Sequence, residues 1–197
     1  MHNLNIILLL STCFCCCLCD KFYYFGYGSN LTGKRLKLSS PSAEFYSPAV
    51  LKDYRLDFNH YYQDWNGACA TIVQDPGASV TGVIWILDTK DMPNLDSQEG
   101  DEYYSMNVTV TTLTGEEIVA RTYAETVDPP KLLPGEDLPF ERRPSNTYLQ
   151  VLVFGAVESG LPSDYVGYLV SFPTNGRQAE DELRNRLGYP FGPAPSK

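Results

Sequence analysis

The segment Lys21–Leu31 reads KFYYFGYGSNL and contains the pattern that decides the fold. Its first part, Lys21–Gly26, is rich in aromatic residues, which favour a β-strand because bulky side chains pack well on a pleated surface. The strand meets a run of small and polar residues, Gly26–Asn30, that is typical of a tight loop. We therefore predict a strand that leads directly into a glycine-rich loop.

Apolar and β-branched runs predict the other strands of a sheet. They are Ala43–Asn59 (one or two strands), Ala68–Val73, Val80–Leu87, Asn107–Thr112 and Glu117–Glu125. The run Val80–Leu87 is almost entirely apolar, which indicates burial on both faces. Asp75–Gly77 predicts a turn before it, and Thr114–Gly115 predicts a hairpin between the last two strands.

Helical segments occur mainly late in the chain. They are Leu31–Leu38, with Lys34, Arg35 and Lys37 on its solvent face, Thr89–Gly100, Asn146–Ser159, Ser163–Ser171 and Arg177–Leu187. Strands followed by helices predict an α+β fold, a small mixed and mostly antiparallel β-barrel with a few flanking helices. The proline-rich stretch 127–143 has no periodicity and predicts a long loop, which we expect to act as a lid.

Charge and composition exclude several functions. The 197 residues carry 15 Lys+Arg and 24 Asp+Glu, a net charge of −9. Nucleic acids and anionic membrane surfaces both require clustered basic residues, so neither is an expected partner. The chain is 43% hydrophobic and 13% aromatic, which is too apolar for a disordered protein.

Residues 1–19 differ from the rest, because they lack Asp, Glu, Lys and Arg and contain five of the six Cys. We interpret them as a signal peptide or a hydrophobic Cys-rich leader. The alternatives are an uncleaved or lipidated membrane anchor and a wrongly assigned start. A cleaved signal peptide predicts a secreted protein, an anchor predicts a membrane-anchored protein, and a wrongly assigned start predicts a cytoplasmic protein. The folded domain is expected over residues 20–187, followed by a disordered tail over 188–197.

Few residues of the domain suit classical catalytic chemistry. His60 is its only histidine and is predicted at the surface, while Cys69 is predicted in a core strand. Clustered metal ligands are missing from the sequence of the domain, and the glycine pattern lacks the third glycine of a dinucleotide-binding loop. We are left with carboxylates and with the Gly26–Asn30 loop, whose backbone N–H groups form an anion-binding nest. The alternative is a simple strand-to-helix turn with Ser29 or Asn30 as the helix N-cap.

Four ordered segments resemble the motifs of the γ-glutamylcyclotransferase family. The loop Tyr24–Leu31 resembles its Y-x-Y-G-S-N-L motif, and Leu95–Gly100 resembles its L-D-x-Q-E-G motif. Pro144–Tyr148 is similar to P-S-x-x-Y, and Gly155–Tyr165 to G-A-x-E-x-G-L-P-x-x-Y. The resemblance extends over roughly residues 22–170, nearly the whole domain.

The resemblance implies an enzyme that needs neither a cofactor nor a metal. It would convert a γ-glutamyl amino acid into 5-oxoproline and a free amino acid, because the α-amine of the substrate attacks its own γ-carbonyl. Glu99, in the family's catalytic position, would act as general base and then as general acid. Its pKa should be raised by partial burial and by the neighbouring Asp101, whereas Asp96 is expected to brace the helix.

The resemblance also implies a binding site for the substrate. The loop residues Tyr24, Phe25, Gly26, Tyr27, Gly28 and Ser29 would hold the glutamyl group through backbone N–H donors. Asn30 would brace this loop, and Tyr148 would donate its hydroxyl at the far wall. Either Tyr103 or Tyr104 would supply a further aromatic wall, and the sequence leaves this choice open.

Two other functions remain compatible with the sequence. One is a non-catalytic carboxylate-binding or protein-interaction module on the same fold, against which the intact Glu99 and loop argue. The other is the same chemistry on a γ-glutamylamine or an isopeptide. The expected partner is a small γ-glutamyl amino acid or dipeptide, and a homodimer is a possible assembly.

Overall fold

The structure is a computed structural model that describes residues 20–192. Five strands form a closed barrel in the order β1-β3-β2-β4-β5. They are β1 (Lys21–Gly26), β2 (Glu44–Tyr62), β3 (Gly67–Asp88), β4 (Tyr103–Thr112) and β5 (Glu117–Glu125). The pair β1–β5 is parallel and the other neighbouring pairs are antiparallel. The predicted α+β class and mostly antiparallel barrel are therefore confirmed.

Helices flank the barrel. They are α1 (Gly33–Leu36), α2 (Met92–Glu99), α3 (Asn146–Glu158), α4 (Ser163–Val170) and α5 (Asp181–Leu187), with single 3₁₀ turns at Ser29–Leu31, Thr89–Asp91 and Phe140–Arg142. None of the helices within residues 20–192 has the length and apolar character required to cross a membrane.

The last helix, α5, begins later than the sequence predicts, at Asp181 instead of Arg177. The preceding residues are held outside the helix by long-range hydrogen bonds. The Arg177 carbonyl accepts from the Asn146 N–H at 2.8 Å, and the Ala179 N–H donates to Thr147 at 3.0 Å. These tertiary partners replace the helical hydrogen bonds that the local pattern favours.

The predicted turn at Asp75–Gly77 is a bulge inside the single long strand β3. Around it, the register with β2 moves from Tyr54–Gln74 to Lys52–Ser79, so that four residues of β3 lie opposite Asp53 alone. Asp53 and Gly77 adopt positive φ angles of 61° and 87°, and the Asp53 carboxylate accepts the Gly77 N–H at 2.9 Å. A bulge bends a strand without ending it, which lets two long strands curve around the barrel.

The barrel interior and α3 form one core. Its fully buried side chains include Phe25, Phe58, Ile72, Ile84 and Leu152. The run Val80–Leu87 is buried apart from a half-buried Ile86, as its apolar composition predicts. Each such side chain contributes roughly 1.5–3 kcal/mol through burial, so the core holds the barrel and α3 in a fixed relation.

Helix α3 lies directly against the loop that follows β1. A Cβ atom added at Gly155 would lie 2.6 Å from the Thr32 nitrogen, too close for any side chain. The Ser159 hydroxyl also donates to the Leu31 carbonyl at 3.2 Å. The close approach explains why glycine is required at this helical position, and it fixes the loop from behind.

The stretch 127–143 is a loop, as predicted, and Arg142 fastens it to the barrel. The buried guanidinium of Arg142 donates to the Phe58 carbonyl at 2.9 Å and to the Pro130 carbonyl at 3.1 Å. It also forms a buried ion pair with Asp57. The loop is therefore attached at its proline-rich part and at its end.

The C-terminal prediction is wrong for residues 188–192, which pack on the domain. Phe191 is 5% exposed and its ring lies 5.3 Å from that of Phe154 on α3, in an edge-to-face arrangement. Composition indicates disorder here, but a single aromatic residue finds an apolar partner and anchors the segment. Residues 193–197 of the predicted tail, and the leader over 1–19, lie outside the described residues.

Candidate active site

A cavity opens beside the loop that follows β1. The predicted site residues that line it are Tyr24, Tyr27, Gly28, Ser29, Asn30, Glu99, Tyr103 and Tyr148. They come from β1, from the end of α2, from β4 and from the first turn of α3. The fold thus brings together segments that are more than a hundred residues apart in sequence.

Glu99 is the last residue of α2, and Gly100 ends the helix with a φ of 67°. The carboxylate oxygen Oε1 accepts hydrogen bonds from Gln98 Nε2 at 3.1 Å and from Asn30 Nδ2 at 3.4 Å. Burial raises the pKa of Glu99 to about 7, opposed by the positive charge of Arg35 and by these hydrogen bonds. A carboxylate with this pKa can both accept and return a proton at neutral pH.

The acidic neighbour that acts on Glu99 is Asp96, which raises its pKa, and not Asp101 as predicted. Asp101 follows the helix-ending glycine and is exposed to solvent, which screens its charge. Asp96 accepts hydrogen bonds from the Tyr123 hydroxyl and, at 2.7 Å, from Arg121. It thereby joins α2 to β5, in keeping with the bracing role that the sequence predicts.

Asn30 is buried and ties the loop to its surroundings. Its Nδ2 donates to the Tyr24 hydroxyl at 2.9 Å, and its carbonyl accepts from the Trp85 indole at 3.0 Å. The alternative in which Ser29 or Asn30 caps the helix is wrong, because Thr32 caps α1 by accepting the Lys34 N–H at 3.3 Å. Asn30 is therefore available to hold the loop against Glu99.

Gly28 lies close to the wall opposite the loop. A Cβ atom there would lie 3.1 Å from the Tyr148 hydroxyl oxygen, tighter than ordinary contact. Among the described residues, the backbone N–H groups of Gly28 and Ser29 have no hydrogen-bond acceptor. The loop thus presents unused donors to the cavity, which is the property of an anion-binding nest.

Hydrogen bonds fix the phenol groups around the cavity. The Tyr148 hydroxyl accepts the Ala70 N–H at 2.9 Å, and the Tyr103 hydroxyl donates to the Ala70 carbonyl at 2.8 Å. The Ser145 hydroxyl caps α3 by accepting the Tyr148 N–H at 3.2 Å. Burial raises the pKa of both phenols well above the ordinary value, so both stay protonated, and the Tyr103 proton is donated to the Ala70 carbonyl.

Three predicted residues lie outside the cavity wall. Side chains alternate along a strand, so Phe25 points into the core while Tyr24 faces the cavity. The same alternation on β4 settles the open choice, because Tyr103 lines the cavity and Tyr104 is 48% exposed. Gly26 lies too close to the Asn30 backbone for a side chain, at 2.9 Å, and serves the turn of the loop.

Sequence reasoning missed several residues of the wall. They are Arg35, Tyr62, Trp65, Cys69, Ala70, Gln98 and Tyr123. Cys69 is buried in β3 as predicted, yet it also lines the cavity, and burial raises the pKa of its thiol. Gln98 precedes Glu99 within the same motif, and this position could have identified it as a residue of the cavity wall. None of the lining residues comes from 127–143, so this loop is not a lid over the cavity in the described structure.

Arg35 was predicted on the solvent face of a longer helix. The helix α1 has only four residues, so it has no complete hydrophobic face, and Arg35 extends back into the cavity wall. Its Nη1 donates to Gln98 Oε1 at 2.7 Å. Tertiary packing, which a local pattern does not contain, determines this orientation.

Metal chemistry has no ligand set in the described part of the chain. No group of three His, Cys, Asp or Glu side chains within residues 20–192 lies close enough together to hold an ion.

The fold and the site together define a class of protein, and residues 79–169 match the family model described as "AIG2-like family". The chain is 40% identical over 163 residues to the γ-glutamylcyclotransferase of Bos taurus and 38% identical to that of Homo sapiens. Both alignments span 79% of this chain and 81% of the relative. A solved structure titled "Gamma-glutamyl cyclotransferase" superimposes with a TM-score of 0.75 at 34% identity, over 85% of this chain and 98% of that one. The chain belongs to the γ-glutamylcyclotransferase family.

Proposed function

We propose that the protein is a γ-glutamylcyclotransferase that converts a γ-glutamyl amino acid into 5-oxoproline and a free amino acid. The observation that carries this proposal is the partly buried Glu99 carboxylate, with a pKa raised to about 7, beside a loop with unused N–H donors. The names of relatives at about 40% identity support it.

Glu99 moves the proton in this reaction. It accepts a proton from the substrate's α-amine as the amine nitrogen bonds to the γ-carbonyl carbon. It then returns the proton to the leaving nitrogen as the amide bond breaks, so the carboxylate is unchanged after each turnover. The substrate supplies the nucleophile, which explains why the cavity needs no activated Ser or Cys.

The loop and the phenols account for the rest of the catalysis. The Gly28 and Ser29 N–H groups would donate to the oxygen that becomes negative during the attack. Tyr148 and Tyr103, held by the N–H and the carbonyl of Ala70 respectively, would close the wall around the glutamyl chain. Holding that chain in a folded conformation promotes ring closure, since effective molarities reach about 10⁵ M or more.

Incubation of the purified protein with γ-glutamyl-alanine tests the proposal. The expected products are 5-oxoproline and alanine in equal amounts, measured by chromatography. Release of glutamate instead of 5-oxoproline would indicate a hydrolase, and unchanged substrate would favour the non-catalytic binding module. Assays with a γ-glutamylamine and a γ-glutamyl isopeptide define the leaving groups that the enzyme accepts.

The pH dependence of kcat/KM should follow Glu99. The base must be ionised to accept a proton, and its pKa is about 7. We therefore expect kcat/KM to rise about tenfold per pH unit below 7 and to level off above it. Initial rates of γ-glutamyl-alanine turnover between pH 5 and pH 9 measure this, and a profile flat down to pH 5 would contradict it.

The neighbouring residues Tyr103 and Tyr104 offer a matched pair of variants. Tyr103→Phe removes the hydrogen bond to the Ala70 carbonyl in the cavity wall, and we expect kcat/KM to fall about tenfold. Tyr104→Phe changes an exposed hydroxyl and should leave kcat/KM within about twofold. The same assay applies to both, and a larger loss for Tyr104→Phe would reverse the assignment.

The leader and the assembly remain predictions. The charge-free apolar run in residues 1–19 supports secretion, with a membrane anchor or a cytoplasmic location as alternatives. Mass spectrometry of the N-terminus after expression in a secreting cell would distinguish cleavage from retention. Light scattering would test the homodimer.

A further inference from the structure

Arg35 is a cation with almost no partners. Only its Nη1 has an acceptor in the described part of the chain, Gln98 Oε1, while its Nε is buried and has no hydrogen-bond partner. No ion pair among residues 20–192 includes Arg35. A guanidinium carries five N–H donors, and leaving most of them unused in a low-dielectric cavity is unfavourable. The Glu99 carboxylate acts on Arg35 electrostatically but forms no direct ion pair with it, so Arg35 can take a further anionic group in the cavity.

Arg35 is also the only Lys or Arg in the cavity wall of the described chain. The protein as a whole carries a net charge of −9, and the cavity contains the Glu99 carboxylate. An anionic ligand would be repelled from such a site unless a local cation attracts it. Arg35 is the one side chain of the wall that can do so.

The side chain of Gln98 places this cation next to the proposed base. Its Oε1 accepts from Arg35, and from Ser39 Oγ at 2.6 Å, while its Nε2 donates to Glu99 at 3.1 Å. One amide group thus separates a proton acceptor from a cation. A substrate group with an amine and a carboxylate on the same carbon has the complementary pattern, with the amine facing Glu99 and the carboxylate facing Arg35.

We propose that Arg35 binds the α-carboxylate of the γ-glutamyl group through its free N–H donors, and that it selects substrates that carry this carboxylate. The inference rests on the proposed function, since it requires that the α-amine reacts at Glu99. Binding the carboxylate orients the α-carbon and so directs the amine toward Glu99. Guanidinium–carboxylate pairs combine charge with directional hydrogen bonds, which suits this task.

Two substrates test the proposal. γ-Glutamyl-alanine and 4-aminobutyryl-alanine differ only in the α-carboxylate, and both can cyclise through the same amine with release of alanine. For the wild type we expect kcat/KM to be lower by about 100-fold or more without the carboxylate, because Arg35 is then left unpaired. Equal kcat/KM values for the two substrates would overturn the proposal without any variant.

Variants of Arg35 test whether this side chain causes the preference for the α-carboxylate. Arg35→Gln should lower kcat/KM for γ-glutamyl-alanine by about 100-fold and change it for 4-aminobutyryl-alanine by less than about threefold. Arg35→Lys keeps the charge and should retain an intermediate preference for the carboxylate. Arg186→Gln is the control, because Arg186 is exposed on α5, acts electrostatically on Arg35 and does not line the cavity. Arg186→Gln should keep the wild-type ratio of kcat/KM for γ-glutamyl-alanine and 4-aminobutyryl-alanine.

Two results would separate this inference from others. If Arg35→Gln lowers kcat/KM equally for both substrates, Arg35 acts through Gln98 and Glu99 and the proposal is wrong. Thermal unfolding of each variant identifies a folding defect. If Arg35→Gln does not fold, the proposal is tested by Arg35→Lys and by the wild-type ratio of kcat/KM for the two substrates. If the wild type releases no 5-oxoproline from γ-glutamyl-alanine, the proposed function itself fails, whereas an active enzyme that ignores the carboxylate contradicts Arg35 recognition alone.

Discussion

Glu99→Gln should abolish turnover of γ-glutamyl-alanine, with a loss in kcat of at least about a thousandfold. The amide has nearly the shape of the carboxylic acid, and its oxygen can still accept the hydrogen bonds from Gln98 and Asn30. It cannot take a proton from an amine at neutral pH. Release of 5-oxoproline, followed over hours at high enzyme concentration, measures the residual rate.

The same variant should be more stable than the wild type at pH 8. Burial raises the pKa of Glu99 from 4.5 to about 7, so the folded wild type loses stability as the pH rises through this interval. The cost of the ionised carboxylate amounts to up to about 3 kcal/mol above pH 7, and the neutral amide avoids it. Below about pH 4.5 the carboxyl group is neutral in both states and the advantage disappears.

Glu102→Gln is the matched control for both measurements. Glu102 is exposed, three residues beyond Glu99, and its carboxylate lies 3.7 Å from the His60 imidazole. We expect it to change kcat by less than about twofold and stability by less than about 0.5 kcal/mol. If Glu99→Gln turns over at the parent rate, Glu99 is not the proton carrier. An inactive variant that is more stable than the wild type would support Glu99 as the proton carrier.

Arg142→Met is the second change with a large expected effect, and it acts on stability. It leaves the buried Asp57 carboxylate with Arg55, at 3.2 Å, as its remaining cationic partner, and it removes the donors to the Phe58 and Pro130 carbonyls. Breaking a buried ion pair by removing one partner costs about 3–5 kcal/mol, and because Arg55 still pairs with Asp57 we expect a loss near the lower end of this range. Urea unfolding followed by circular dichroism measures the free energy of unfolding.

Lys131→Met supplies the comparison within the same loop. Lys131 pairs with Asp75 at 2.7 Å, but its side chain is 63% exposed, so the expected loss is below about 1 kcal/mol. The double variant Asp57→Asn, Arg142→Met should recover part of the loss, because the neutral amide carries no buried charge while its oxygen can still accept from Arg55. Similar small losses for Arg142→Met and Lys131→Met would show that the loop is not held by the buried pair.

The parts that the sequence predicts are those that local patterns determine. The strand before the loop, the hairpin β4–β5 and the helix that ends at Gly100 follow from short-range composition and turn residues. Glu99, the loop and Tyr148 follow from contiguous motifs. Tyr103 and Tyr104 illustrate the boundary, because strand alternation allows only one of them into the cavity and the sequence does not state which face is inward.

The missed features depend on contacts between distant segments. Arg35 enters the cavity because α1 is short and Gln98 receives its N–H, and the bulge opposite Asp53 replaces a turn because β2 continues beside it. Phe191 docks on Phe154 despite a composition typical of disorder. In each case a tertiary partner decides between conformations that are locally similar in free energy.

The parallel pairing of the first and last strands has a consequence for synthesis of the protein. Tyr24 of β1 pairs with Arg121 of β5, and the Tyr27 hydroxyl donates to the Tyr123 carbonyl at 2.6 Å. During translation, β1 leaves the ribosome about a hundred residues before β5, so one edge of β1 stays unpaired in the meantime. Nascent chains that stop before Glu117 should therefore expose an aromatic strand edge and depend on chaperones, and premature termination in this region would produce aggregation-prone fragments rather than a partly active enzyme.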